Sequence, residues 1–84
     1  MKNTLEIVKE FVKTKFGVTT EPSVDEFKRF KFGSSYGIGT VWFSESTNTF
    51  IRTYAYHDRR TEDKILIEER YSVDYDLIDT IGYN

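Results

Sequence analysis

The sequence predicts an α+β fold: an N-terminal amphipathic helix, an antiparallel meander of three to four strands, and a short C-terminal helix, in one small domain spanning residues 1–84. Three observations carry this. Apolar residues recur at helical spacing near the start, three segments rich in β-branched and aromatic residues fill the middle, and Leu77, Ile78 and Ile81 return to helical spacing at the end. A chain of 84 residues has room for one core only. It buries roughly 60–65% of its unfolded surface. Aromatics, at 17% of residues, answer that shortage, because each ring buries more area than an aliphatic side chain.

The opening NTLEIVKEFVKTKFG carries helix signals at both ends. Asn3 precedes Glu6 at capping-box spacing, and Gly17 follows the last periodic residue as a left-handed cap. Leu5, Val8, Phe11, Val12 and Phe16 form one stripe, with Lys9, Glu10 and Lys13 opposite. VTTEP is a linker holding the only proline. Beyond it, Ser23 and Glu26 repeat the S-x-x-E signature, and Asp25 meets Arg29 one turn on, which predicts a brief helical turn. Phe30 and Phe32 alternate with charged neighbours and predict a short edge strand after it. GIGTVWFSE, NTFIRTYAY and KILIEERYSV are the central strands, closed by STN and DRRTED. In DYDLIDTIG an acidic first turn and a terminal Gly82 complete the helix signature.

Side chains alternate along strands, so the hairpin registers sort the sheet into two faces. Closing the first hairpin on Thr47 sets Phe43 opposite Ile51, Trp42 opposite Arg52 and Thr40 opposite Tyr54. Closing the second at residues 60–61 sets Tyr54 opposite Ile67, Arg52 opposite Glu69 and Phe50 opposite Tyr71. One face then holds Ile38, Trp42, Phe50, Tyr54, Tyr56, Ile65, Ile67 and Tyr71, crossed by an Arg52–Glu69 pair. That face is the expected core beneath the helix. The other holds Val41, Phe43, Ile51, Ala55 and Leu66, edged by Thr53, Glu68 and Arg70. It is too apolar for water, so a further segment covers it or it binds a partner.

Charge is unevenly distributed. The net charge is −2, yet residues 1–60 hold ten Lys/Arg against seven Asp/Glu, and residues 61–84 hold two against seven. A bulk nucleic-acid binder carries a strongly basic total, which this chain lacks. The absence of cysteine removes disulfides and thiolate metal sites, and points to a reducing compartment, most simply the cytoplasm of a bacterial host cell. The apolar runs are a few residues long, so no membrane span or signal peptide is expected.

Chemistry-bearing patterns are sparse. The single histidine, His57, stands in HDRR. A small endoribonuclease-type toxin would use His57, a carboxylate such as Glu68 and an arginine as acid, base and phosphate clamp, but such enzymes carry a basic surface. Asp74, Asp76 and Asp79 lack the central Gly and distal Glu of a calcium loop, and helix capping accounts for the first two. GIG is too short for a phosphate loop. No cofactor or metal is expected. YGIGTVWF resembles the RNA-reading strand of an RRM in its two glycines, Val41 and Phe43. However, Tyr36 replaces the leading basic residue, and Ile38 and Thr40 occupy the stacking positions.

The expectation is therefore a non-enzymatic module that binds another protein. Its candidate surface is Glu68, Glu69, Tyr71, Asp74, Tyr75, Asp76 and Asp79, with Phe43 and Ile51, since tyrosines and carboxylates suit a basic partner surface. The most concrete form is a phage or mobile-element inhibitor, of the anti-CRISPR or anti-restriction type, that occupies a host nuclease. The alternative is a nucleic-acid-binding or regulatory module using Lys28, Arg29, Lys31, Arg59 and Arg60 at the sheet edge. An exposed edge strand or the Phe43/Ile51 face is also compatible with a homodimer.

Overall fold

The computed structural model describes residues 3–32, 38–57 and 60–83. One helix, α1 (Thr4–Phe16), precedes six strands: β1 (Ser23–Val24), β2 (Phe30–Phe32), β3 (Gly39–Ser44), β4 (Thr49–His57), β5 (Lys64–Tyr71) and β6 (Leu77–Tyr83). Each strand pairs antiparallel with the next, giving a single sheet in chain order. The α+β class and the N-terminal helix stand as expected. The strand number and the C-terminal element do not.

Helix α1 is bounded as its sequence predicts. The Asn3 side chain accepts from the Glu6 amide at 2.9 Å, and Gly17, at φ +70°, donates its amide to the Lys13 carbonyl. Both contacts satisfy backbone groups that a helix end leaves without partners. Val8, Phe11 and Val12 are fully buried against the sheet, with Leu5, Ile7 and Phe16 packed around them. Phe11 is the centre of this contact. Its ring stacks on Phe50 at 4.3 Å between centroids and meets Tyr71 and Tyr75 at 5.1 and 5.2 Å.

The Ser23–Glu26 signature does not open a helix. Asp25 instead closes the β1–β2 hairpin: its carboxylate accepts from the Phe27 and Arg29 amides and from Arg29 Nε. Lys28 takes a left-handed φ of +60° to complete the turn. The i to i+4 spacing of Asp25 and Arg29 suits a helix, but an aspartate that bonds the backbone two residues on makes a turn just as well.

The expected C-terminal helix is strand β6. Ser72 reverses the chain before it: its hydroxyl accepts from the Asp74 and Asp76 amides, and its own amide donates to the Asp76 carbonyl. Tyr75, at φ +69°, finishes the turn. Asp74 and Asp76 are therefore turn residues rather than helix caps. Leu77 then pairs with Tyr71 and Asp79 with Arg70, so Ile78 is an extra residue, a β-bulge. The bulge breaks the two-residue alternation, and that break made Leu77, Ile78 and Ile81 look helical.

The second central hairpin has the expected register: Tyr54 faces Ile67, Arg52 faces Glu69 and Phe50 faces Tyr71. The first is displaced by one residue. Ser44 and Thr49 close it around a four-residue loop in which Asn48 has φ +56°, so Phe43 faces Phe50, Trp42 faces Ile51 and Thr40 faces Thr53. One residue of slip exchanges the faces of the whole strand. Val41 and Phe43 lie beneath the helix, and Trp42 lies on the opposite side. Gly39 permits the strand to begin where it does: at φ +82°, a Cβ there would stand 2.2 Å from the Thr53 carbonyl oxygen. Gly37 lies outside the described residues.

Candidate interaction surface

Two sides of the sheet have different chemistry. The helix side buries Phe30, Phe32, Val41, Phe50 and Tyr71, and also holds a linked polar group. Arg52 Nη1 donates to Glu69 Oε1 at 2.6 Å, Arg52 Nε donates to the Ile38 carbonyl at 2.8 Å, and the Tyr71 hydroxyl donates to the same Glu69 oxygen at 2.9 Å. The Arg52 guanidinium also lies over the rings of Tyr54 and Phe16, at 3.9 and 5.0 Å. Burial and the Glu69 carboxylate push the Tyr71 phenol up to about 12. A phenol held protonated between a carboxylate and a guanidinium fixes strand positions; it does not provide a general base near neutral pH.

Among the described residues, no helix lies over the other side. Its rows follow from the register: Trp42, Ile51, Arg70 and Asp79 in one, Thr40, Thr53, Glu68 and Ile81 in the next, Ala55, Leu66 and Tyr83 in a third. Trp42 is half-buried because Arg29 lies against it, with the guanidinium 5.9 Å from the indole and 5.2 Å from the Phe27 ring. Arg29 is itself held by Asp25 at 2.8 Å. Toward β6, Arg70 bonds Glu68 at 2.9 Å, while Asp79 is exposed. Thr49, Ile51, Arg70, Ile78 and Asp79 border a shallow concavity. The face has two apolar groups, Trp42 with Ile51 and Ala55 with Leu66 and Tyr83, parted by Thr40, Thr53 and Glu68, with a basic margin at Lys28, Arg29 and Lys31 and an acidic margin at β6.

The sequence-derived candidates are divided by this geometry. Ile51, Glu68 and Asp79 share the open face, and Asp74 and Asp76 stand exposed on the turn leading into it. Glu69, Tyr71 and Phe43 lie on the helix side. Tyr71 is buried, Glu69 is bonded to Arg52 and Tyr71, and Phe43 packs on the core. Tyr75 is half-buried against Phe11 and Phe50. Among the cations, Lys28, Arg29 and Lys31 gather at β2, whereas Arg60 follows β4 at the far hairpin. Arg59 and the His57 side chain lie outside the described residues. Sequence reasoning missed Trp42, Ile81 and Tyr83 as open-face residues. The alternation Asp79, Ile81, Tyr83 was a strand signal, but the bulge obscured its start.

A second concavity lies between α1 and the segment that follows it, lined by Lys9, Lys13, Val18 and Phe32. Lys9 is paired with Glu21 there. Among the described residues, no three His, Cys, Asp or Glu side chains converge as metal ligands, and no helix is long and apolar enough to cross a membrane. No family model, curated protein or solved structure matches the chain.

Proposed function

We propose that this chain is a non-catalytic protein-binding module that docks through the open face of its sheet. The observation that carries this reading is that face itself: Trp42, Ile51, Leu66, Ile81 and Tyr83 share one side of the sheet, and α1 lies on the other. Apolar groups set among polar and charged side chains suit a protein interface, which as a whole is about as apolar as other protein surface. Asp79, with Asp74 and Asp76 on the adjoining turn, gives the β6 margin an acidic rim suited to a lysine- and arginine-rich partner. The most concrete form of the proposal is an inhibitor of the anti-CRISPR or anti-restriction type, occupying the basic surface of a host nuclease in the bacterial cytoplasm.

One observation favours nucleic acid instead: Lys28 lines a shallow hollow with the exposed Phe27 and the half-buried Trp42. Against it, Arg29 already occupies the Trp42 ring, which a base would need for stacking. The two readings separate experimentally. Capture from host lysate is compared for wild type, Leu66→Glu and the triple variant Asp74→Asn, Asp76→Asn, Asp79→Asn. A protein captured by wild type and lost in both variants supports the proposal. Gel retardation of RNA or DNA at physiological salt, retained in the triple variant, would overturn it.

A further inference from the structure

The two edges of the sheet are built differently. β1 is a two-residue strand ending in the charged Asp25–Arg29 turn, a short and guarded edge. β6 runs seven residues and is exposed along nearly its whole length: Leu77 is 53% accessible, Ile78 58% and Tyr83 46%. It contains no proline, lysine or arginine. Its single charge, Asp79, sits in register with Arg70 rather than projecting from the edge. Folded proteins ordinarily shorten, charge, bulge or cover such a strand, because its outward N–H and C=O groups are a template for another strand; the one bulge in β6, at Ile78, lies at its start and leaves residues 79–83 in regular pairing.

We infer that β6 pairs antiparallel with β6 of a second copy of this chain, joining two sheets into one. The strand is self-complementary for this. A two-fold axis at Thr80 places Asp79 against Ile81 and Ile78 against Gly82, with each pair repeated on the other side of the axis; Leu77, displaced by the Ile78 bulge, lies outside this regular pairing. No like charges fall opposite each other, and Ile78 meets a residue with no side chain. A pairing of β6 with β1 of another copy would extend without limit, but β1 is too short to supply it. The β6–β6 pairing closes at two copies. Joining there also makes the two open faces continuous, while leaving Trp42 and Ile51 uncovered. The inference therefore holds or fails apart from the proposed partner surface.

Thr80 supplies the test, because the axis sets it opposite its own copy. Sedimentation equilibrium of the wild-type chain should give twice the chain mass at high concentration and the chain mass on dilution, with a dissociation constant on the order of micromolar for so small an interface. Thr80→Lys and Thr80→Glu should each remain monomeric, since like charges then stand directly opposite. Mixing the two should restore a one-to-one dimer, which damage to the fold would not produce. Hydrogen exchange on wild type needs no variant, and should show β6 amides gaining protection as concentration rises. A wild-type chain that stays monomeric to about 1 mM would overturn the inference. So would a dimer that survives Thr80→Lys, or β6 amides whose exchange ignores concentration.

Discussion

Phe11 offers the sharpest test of how helix and sheet are joined. Its side chain is fully buried, stacked on Phe50 and edged by Phe16, Tyr71 and Tyr75. Truncating a buried phenylalanine to alanine costs about 3–5 kcal/mol, the upper part of the range applying where the surroundings cannot collapse into the space. Here four aromatic rings surround the site and are anchored on α1, β4, β5 and the turn after β5, so collapse is restricted. At about 0.05–0.15 kcal/mol per residue, a domain of 84 residues has roughly 4–13 kcal/mol in total. Phe11→Ala should therefore remove from about a third of its stability to all of it. Phe11→Leu, which keeps most of the volume, should cost about 1–2 kcal/mol. Urea unfolding followed by far-ultraviolet dichroism measures both, and the slope of about 1 kcal/mol per molar converts the second loss into a midpoint shift of about 1–2 M. Ile51→Ala on the open face is the control and should cost less, because Ile51 is only half-buried. If Phe11→Ala unfolded within about 0.5 kcal/mol of wild type, the docking of α1 on Phe50 and Tyr71 would be refuted.

Two further outcomes follow from single residues. The Tyr71 phenol is raised to about 12 by burial and by Glu69, so the folded state holds its proton more tightly than the unfolded chain. That contribution is complete below about pH 10, and is lost as pH rises toward 12, amounting to roughly 2–3 kcal/mol at most. Unfolding midpoints measured across that window should fall for wild type and fall less for Tyr71→Phe. Gly39→Ala meets both a positive φ and a carbonyl oxygen 2.2 Å from the new Cβ, so a loss of at least about 2 kcal/mol is expected in thermal or urea unfolding.

Much of the fold was legible because local signals and tertiary environment agreed. The Asn3 and Gly17 caps, the apolar stripe of α1, the strand segments and the Arg52–Glu69 pairing all follow from short-range patterns. Their failures share a cause. In β3 the strand itself was legible, but a loop of four residues rather than an odd number turned Trp42 outward and Phe43 inward. In β6 an inserted Ile78 imitated helical spacing. The acidic tail was visible as composition, yet composition does not say which carboxylates already have partners. Glu69 was lost to the interior, whereas Asp79 was left at the surface.

By itself, then, the chain's sequence determined the class of fold, the extent of its helix and the position of its central strands. These depend on capping chemistry, periodicity and residue type, all of which are local. Tertiary structure alone decided which face of the sheet is left open, and that Leu77–Tyr83 is an edge strand rather than a helix. Both depend on registers set by single residues in turns and bulges, where one residue of slip carries almost no local signal and moves every side chain to the other face.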